Sequence, residues 1–325
     1  MSPRYADCHD RTCTRATSWA SAGTATRTRV IVAVCEVECC ACQMADTASV
    51  GLKVAGKVIV ITGGARGIGL ATATALHNLG AKVAIGDVDE VRVKESGAAL
   101  GLDVYGKLDV TDPQSFSDFL DDVERQLGPI DVLVNNAGVM PVGRIIDEPD
   151  AVTRRILDIN VYGVILGSKL AAQRMVARGS GHVINVASLA GELYAVGLAT
   201  YCASKHAVVA FTDSARLEYR KAGVKFSMVL PAFVNTDLTA GTHGAKGFKN
   251  AEPSDIADAI VGLVVWPRPR VRVTKAAGAM VVSQKFMPRS LAEGLNRILG
   301  GEHVFTDDVD VAKRRAYEAR ARGEE

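Results

Sequence analysis

A tyrosine and a lysine four positions apart are the residues of this chain best suited to acid–base chemistry. Tyr201 and Lys205 occur in "TYCASKHA" (200–207), and on a helix residues i and i+4 lie on one face. A free tyrosine has a pKa of about 10, and a neighbouring lysine ammonium lowers it by favouring the phenolate. Ser188 ends an apolar run thirteen residues upstream, where its hydroxyl could hydrogen-bond a substrate oxygen. These side chains predict proton exchange with a substrate hydroxyl or carbonyl group.

A glycine-rich segment predicts where a nucleotide binds. "TGGARGIG" (62–69) follows an apolar run and opens a helical pattern. Its glycines allow a tight turn and a close approach to a pyrophosphate, while the helix N-terminus supplies free N–H groups. The cofactor-binding residues predicted in this segment are Gly63, Arg66, Gly67, Ile68 and Gly69.

The end of the next apolar run predicts which dinucleotide binds. Asp87 stands eighteen residues after Gly69, where a carboxylate accepts hydrogen bonds from the adenosine ribose and repels a 2′-phosphate. Arg66 is the contrary signal, because it could reach a 2′-phosphate; it could equally lie in solvent against the pyrophosphate. The sequence favours NAD over NADP.

These motifs require a sheet that brings the ends of several strands to one edge. Apolar strands are predicted at 57–62, 82–87, 131–136, 182–188 and 225–231, and helical patterns follow them. This alternation predicts an α/β fold: a single doubly wound parallel sheet of the Rossmann type, covered by helices on both faces. The predicted divisions of the chain are a leader (1–43), the dinucleotide-binding α/β domain (44–275) and a helical C-terminal extension (276–325).

In residue type, spacing and order, these motifs resemble those of the short-chain dehydrogenase/reductase family, over about residues 53–275. "TGGARGIG" matches the TGxxxGxG cofactor loop of that family, and "NNAG" (135–138) matches as it stands. "LDVTD" (108–112), "LDINVYG" (157–163) and "PAFVNTDL" (231–238) resemble three further segments. In the last of these, Ala232 replaces the usual glycine and would be strained if φ there were positive.

The resemblance implies a catalytic tetrad and further cofactor contacts. Its catalytic asparagine falls on Asn160, beside Ser188, Tyr201 and Lys205. Tyr201 would exchange the proton, Ser188 would polarise the substrate oxygen, and Lys205 would lower the tyrosine pKa and hold the nicotinamide ribose. Residues implied to border the cofactor, besides Tyr201, Lys205 and the glycine loop, are Asp109, Val110, Asn135, Ala137, Gly138, Val234 and Thr236.

The resemblance implies oxidation of a secondary alcohol or reduction of its ketone, and the Met and Leu content of residues 276–301 favours an apolar substrate, such as a lipid-, steroid- or retinoid-like molecule. Two alternatives remain open: reduction of a 3-oxoacyl carrier protein, and a catalytically silent NAD-binding regulator. Family members are commonly homodimers or homotetramers, and we expect the same here. A lid rich in glycine is expected after Thr236, at Gly241, Gly244 and Gly247.

The remaining segments carry no recognisable chemistry. "RVRV" (270–273) has the period of a half-exposed strand, which makes a phosphate site there improbable. The final "DVAKRRAYEARARGEE" is typical of a charged, exposed helix, whose composition is compatible with weak association with a membrane surface. A formal charge of +2 gives no reason to expect nucleic acid as a partner, and no apolar run is long enough for a transmembrane segment.

Six of the seven cysteines precede Met44, and four of them occur in "CEVECCACQM" (35–44). Their spacing, C-x₃-CC-x-C, fits no metal site, and no histidine lies nearby, so no bound metal is expected. Met44 is followed by a short polar lead-in to the first strand, so we expect residues 1–43 to be an upstream translation or a disordered leader. Cys202 is alone in the rest of the chain, which suits a reducing cytoplasm.

Overall fold

The computed structural model describes residues 49–242, 250–274 and 303–324, with a few further residues between 278 and 294. All of these belong to one compact unit, Met44–Glu325. The predicted leader (1–43), most of the segment 275–302, and two of the predicted lid glycines, Gly244 and Gly247, lie outside the described residues.

Seven parallel strands form the sheet, in the order β3-β2-β1-β4-β5-β6-β7. Their bounds are β1 Val58–Thr62, β2 Lys82–Asp87, β3 Val104–Lys107, β4 Val132–Asn135, β5 Gly181–Val186, β6 Val224–Pro231 and β7 Arg270–Val273. Every residue of β1 and β4 is buried, as expected for central strands covered on both faces. The predicted doubly wound parallel sheet is confirmed.

Helices cover both faces of the sheet. Their bounds are α1 Gly67–Asn78, α2 Glu90–Leu100, α3 Pro113–Leu127, α4 Asp150–Leu157, α5 Gly163–Arg178, α6 Ala199–Glu218, α7 Pro253–Val265 and α8 Val311–Arg322. One apolar core lies between the sheet and α1, α2 and α7, and includes Leu76, Val93 and Ile260. A second lies between the sheet and α3, α5 and α6, and includes Phe116 and Met175. No helix within the described ranges is both long and apolar enough to span a bilayer.

A π-helical turn, Asp158–Tyr162, joins α4 to α5. Such turns insert an extra residue into a helix and often occur at functional sites. Here the turn carries Asn160, which is fully buried. The turn therefore directs this side chain towards the loop that follows β4.

Candidate active site

The carboxyl ends of the central strands open into a cavity of about 330 Å³. Because all strands are parallel, the residues that follow them meet at this one edge. The sequence-predicted residues that line the cavity are Gly63, Arg66, Gly67, Ile68, Asp87, Asp109, Val110, Ala137, Gly138, Ser188, Tyr201, Lys205, Val234 and Thr236. Three others, Gly69, Asn135 and Asn160, are absent from the lining and lie behind it.

Backbone geometry explains why the loop between β1 and α1 needs glycine. Gly63 has φ +64°, and a Cβ atom there would stand 2.9 Å from Cα of Ala137. A Cβ atom on Gly69 would stand 2.1 Å from the carbonyl oxygen of Gly63. Arg66 precedes α1 and makes no side-chain cap hydrogen bond, so the amides of the first turn are open to an anionic ligand. The loop thus fits a pyrophosphate.

The predicted ribose-binding carboxylate is held rigidly at the end of β2. Asp87 accepts hydrogen bonds from the amides of Ala65, at 3.1 Å, and Asp89, at 3.1 Å, one on each carboxylate oxygen. Asp89 also forms a salt bridge with Arg66. The one nearby cation predicted to favour a 2′-phosphate is therefore already paired with a carboxylate.

Two polar side chains that were not singled out from the sequence tie the glycine loop to the loop after β4. The hydroxyl of Thr62 accepts hydrogen bonds from the amides of Asn136, at 3.0 Å, and Ala137, at 3.1 Å. The side chain of Asn136 donates to the carbonyls of Thr62, at 2.9 Å, and Gly63, at 3.0 Å. Both residues lie inside motifs that were recognised, but motif matching alone does not reveal which side chain bridges which loop.

Asn160 braces the loop that follows "NNAG". Its side chain accepts from the amide of Val139, at 2.9 Å, and donates to the carbonyl of the same residue, at 2.9 Å. It also donates to the hydroxyl of Ser204, at 3.1 Å, on the helix that carries Tyr201 and Lys205. Asn135 instead points into the core, where it donates to Ser168 and Asn185. Asn160 therefore links the β4 loop to α6 from beneath the cavity.

Ser188, Tyr201 and Lys205 come together at one end of the cavity. Ser188 follows β5 and lies beside the phenol of Tyr201, close enough to influence its pKa. Lys205 lies one turn after Tyr201 on α6, as predicted, with its ammonium 5.8 Å from the centre of the tyrosine ring. The same ammonium donates to the carbonyl of Val186, at 3.1 Å, which fixes it against the sheet.

Burial controls the charge of these two side chains more than their proximity does. Desolvation raises the pKa of Tyr201 to about 12, although the neighbouring hydroxyl of Ser188 lowers it in part. Desolvation lowers the pKa of Lys205 to about 8. A buried site disfavours both the phenolate and the ammonium, so burial moves the pKa of Tyr201 up and that of Lys205 down. Tyr201 is a neutral phenol at neutral pH.

The C-terminal helix α8 forms part of the cavity wall, which corrects the expectation of an exposed charged helix. Tyr317, Arg320 and Ala321 line the cavity, and the side chain of Arg314 is 1% exposed. Arg320 also pairs with Asp237, at 3.6 Å, in the loop after β6. The sequence was misleading because half of the residues of this helix are charged, chiefly arginine, whereas the buried arginine has polar partners that hydropathy does not register.

Two other local expectations concern the edge of the sheet. Arg270 and Arg272 of β7 both pair with Glu192, whose side chain is 2% exposed, so they are engaged by protein carboxylates. The amide of Ala232 donates to the carbonyl of Val273, at 3.2 Å, which extends the pairing of β6 with β7. Ala232 thus lies where the backbone continues the hydrogen-bonded pairing of β6 with β7.

Comparison with known proteins gives a consistent picture. The sequence pattern of the family described as short chain dehydrogenase matches residues 57–246. The probable oxidoreductase EphD of Mycobacterium tuberculosis is 33% identical over 258 residues, covering 72% of this chain and 44% of EphD. A 3-alpha-(or 20-beta)-hydroxysteroid dehydrogenase of the same organism is 34% identical over 218 residues, covering 64% of this chain and 82% of that protein. This chain therefore spans less than half the length of EphD.

Solved structures include a short chain dehydrogenase/reductase from Burkholderia phymatum in complex with NAD. It is 28% identical, with a TM-score of 0.65, and the alignment covers 70% of this chain and 92% of that one. The family match runs from β1 past the end of β6 and therefore includes the glycine loop and the helix of Tyr201. Sequence, fold and relatives agree, and the chain belongs to the short chain dehydrogenase family of Rossmann-fold oxidoreductases.

Proposed function

We propose that this protein is an NAD-dependent dehydrogenase that interconverts an apolar secondary alcohol and its ketone, with Tyr201 as the acid–base group. The proposal rests on a single cavity. Its lining includes the glycine loop and Asp87, and it also includes Ser188, Tyr201 and Lys205. A nucleotide site and a proton donor are thus within reach of a single bound substrate. Bound NAD supplies the hydride chemistry, while the protein supplies binding, orientation and proton transfer.

Each side chain of the group has a separate task. Tyr201 gives its phenolic proton to the substrate oxygen during reduction and takes a proton from the alcohol during oxidation. Ser188, which lies beside the same phenol, orients the substrate oxygen. Lys205 is fixed by the carbonyl of Val186 and holds the ribose next to the nicotinamide. Asn160 touches neither substrate nor cofactor in this scheme, and positions the β4 loop against α6.

The preference for NAD over NADP rests on two carboxylates. Asp87 is held by two backbone amides at the end of β2, where the adenosine ribose is expected. Asp89 pairs with Arg66 and so neutralises the cation that could otherwise attract a 2′-phosphate. The structural neighbour from Burkholderia phymatum, described as a complex with NAD, supports the same choice.

An apolar alcohol is favoured because the end of the cavity at Tyr201 borders an apolar cluster. Met140, Leu198 and Phe305 belong to this cluster together with Tyr201. Relatives described as a hydroxysteroid dehydrogenase and as a 2,5-dichloro-2,5-cyclohexadiene-1,4-diol dehydrogenase of Sphingobium indicum are consistent with a cyclic secondary alcohol.

A substrate panel tests this function. The purified protein is incubated with cyclic and linear secondary alcohols and their ketones, with NAD(H) and NADP(H) in parallel, and absorbance of the reduced nicotinamide is followed. We expect turnover of at least one apolar alcohol or ketone, with higher kcat/KM for NAD(H). NADH binding without turnover of any alcohol or ketone would instead favour a silent NAD-binding regulator.

We also propose a homodimer or homotetramer in a reducing cytoplasm. The assembly is proposed because members of the family are commonly homodimers or homotetramers. The reducing compartment is proposed because cysteine is scarce after residue 43. Sedimentation analysis of the full chain tests the assembly, and a monomer at micromolar concentration would refute it.

A further inference from the structure

The C-terminal segment covers the end of the cavity at which Tyr201 lies. Val304 and Phe305 belong to the same apolar cluster as Met140 and Tyr201. The ring of Phe305 stacks on that of Phe233, with centroids 5.4 Å apart. Phe233 directly follows Ala232, which lines the cavity. The segment is therefore packed against the catalytic end of the site.

A buried arginine joins α8 to both loops that flank this end. Arg314 donates to the carbonyls of Leu238, at 2.9 Å, and Ala240, at 3.0 Å, in the loop after β6. It also donates to the carbonyl of Met140, in the loop after β4, and forms a salt bridge with Glu318. A buried guanidinium is tolerated only when its donors are satisfied, so these contacts hold helix and loops in one arrangement.

The C-terminal end of α8 is fixed as well. Arg155 of α4 donates to the carbonyls of Ala321, at 3.1 Å, and Arg320, at 3.4 Å, which belong to the last turn of the helix. A cation at this position satisfies carbonyls that lack a partner within the helix and complements the helix dipole. Glu318 accepts from the amide of Val142, at 3.2 Å, which adds a second contact to the β4 loop.

Tyr317 is the residue of α8 that this arrangement presents to the catalytic end. Its phenolic oxygen accepts a hydrogen bond from the amide of Met140, at 2.7 Å, and the residue lines the same cavity as Tyr201 and Ser188. An oxygen that accepts from an amide still has its own proton to donate. Burial raises the pKa of Tyr317 above its ordinary value, so that proton is retained.

We propose that Tyr317 determines substrate specificity by roofing the substrate site with its ring and donating a hydrogen bond to a second oxygen of the substrate. The ligand class is an uncharged alcohol or ketone with another hydroxyl or carbonyl group close to the reacting carbon. The inference rests on the proposed function, because Tyr201 and Ser188 are taken to bind the reacting oxygen. On α8, Arg314 and Arg320 are each paired with a carboxylate, so neither of these two cations favours an anionic substrate.

Two substitutions separate the ring from the hydroxyl. Tyr317→Phe keeps the roof and removes the donor, whereas Tyr317→Ala removes both. Arg315→Ala is the matched control, because Arg315 is exposed on the same helix. The substrates are cyclohexanol and 1,2-cyclohexanediol, measured with saturating NAD. In parallel, NADH is bound to each variant and its fluorescence is quenched with acrylamide, which reports solvent access without any turnover.

We expect the wild-type protein and Arg315→Ala to prefer the diol. Tyr317→Phe should lower the ratio of kcat/KM for diol over cyclohexanol by roughly three- to tenfold, the effect of one net hydrogen bond, with quenching unchanged. Tyr317→Ala should lower the same ratio and also increase the quenching of bound NADH. No turnover of the diol by the wild-type protein, or an unchanged ratio in Tyr317→Phe, would overturn the proposed donor, and unchanged quenching in Tyr317→Ala would overturn the roof.

Failure of the proposed function gives a different result. In that case the wild-type protein would not bind NADH, or would oxidise no alcohol of any kind in the wider panel. A protein that oxidises cyclohexanol but ignores the hydroxyl of Tyr317 would retain its function and refute only the specificity proposed here.

Discussion

Burial sets the protonation state of Tyr201, the proposed acid–base group, and of Lys205 beside it. Tyr201, with its pKa raised to about 12, is a phenol below that pH, and Lys205, with its pKa lowered to about 8, loses its proton in the mildly alkaline range. A neutral phenol is ready to act as the acid in ketone reduction. For alcohol oxidation the phenolate is required, and below the pKa its fraction rises tenfold with each pH unit.

The two directions of the reaction should therefore respond differently to pH. We expect kcat/KM for alcohol oxidation to increase from pH 6 to pH 9, because the phenolate of Tyr201 becomes more abundant. Ketone reduction should not increase over the same range, because the phenol is present throughout. Initial rates in both directions with buffers of constant ionic strength measure this. An oxidation rate that falls as the pH rises would contradict the assigned base.

The pair formed by Arg66 and Asp89 should influence the choice of cofactor. Asp89→Asn removes the negative charge but keeps a side chain suited to the N-cap of α2, where Asp89 accepts from the amide of Arg92. Arg66 then retains its contact with Asp237, at 3.8 Å, but loses the closer carboxylate that competes with a 2′-phosphate. We expect kcat/KM for NADP to rise by no more than about fivefold, since both side chains are about a third exposed and such pairs contribute ~0–1 kcal/mol.

Glu90→Gln is the control for that comparison. Glu90 is the next residue in the chain, but it pairs with Lys94 on the exposed side of α2 and does not line the cavity. Glu90→Gln should leave the ratio of kcat/KM for NADP to kcat/KM for NAD unchanged. Equal effects of the two substitutions would show that general charge, and not the pairing of Arg66, sets the preference.

At the scale of single residues, the sequence predicted the parts of the site that depend on local spacing. Tyr201 and Lys205 follow from helical periodicity, and Asp87 follows from its distance to the glycine loop. The pairing of Arg66 with Asp89 was missed, although both lie in recognised segments. Periodicity says which face a side chain occupies, but it does not specify which partner two loops bring to it.

Among the elements, the edge strand β7 holds the loop that carries Ser188. Glu192, four residues after Ser188, is bound by Arg270 and Arg272, and Arg270 also pairs with Asp213 of α6. A carboxylate buried among arginines from the strand fixes the start of this loop against the sheet. The alternating "RVRV" pattern predicted the strand correctly, but it could not identify the carboxylate that its arginines bind.

Glu192→Gln should consequently destabilise the fold. We expect a loss of about 1–3 kcal/mol in the free energy of unfolding. The buried carboxylate of Glu192 would lose its charge, while the guanidinium groups of Arg270 and Arg272 would stay and lack a charged partner at that position. Asp213→Asn is the control, and its cost should be below about 1 kcal/mol because that side chain is about a third exposed. Urea unfolding of the three proteins checks this. Equal midpoints would show that Glu192 does not anchor the loop.

Helix α8 marks the limit of what the sequence indicates about elements. Its caps are readable, with Asp310 accepting from the amide of Lys313 at the start and Gly323 in the left-handed conformation at the end. The position of α8 against the rest of the protein cannot be read from the sequence. Its contacts are made by arginine, glutamate and tyrosine side chains with backbone groups more than 70 residues away. The hydrophobic pattern that revealed the strands has no counterpart for such polar packing.

On the scale of the whole molecule, the order of strands follows from simple rules. Apolar runs alternating with helices predicted a parallel sheet, and the observed order places β1 and β4 at its centre, where the glycine loop and "NNAG" meet. We propose that this edge of the sheet unites a dinucleotide site with one proton-transferring tyrosine. If so, removing a single oxygen atom should stop the chemistry without disturbing the nucleotide.

The most direct test compares Tyr201→Phe with Tyr219→Phe, which changes the same kind of side chain at the opposite end of α6. Both variants and the wild-type protein are titrated with NADH and then assayed on the best substrate of the panel. We predict unchanged NADH affinity in all three proteins, and a loss of roughly 10²–10⁴-fold in kcat for Tyr201→Phe alone. Near-normal turnover by Tyr201→Phe with NADH bound would contradict it.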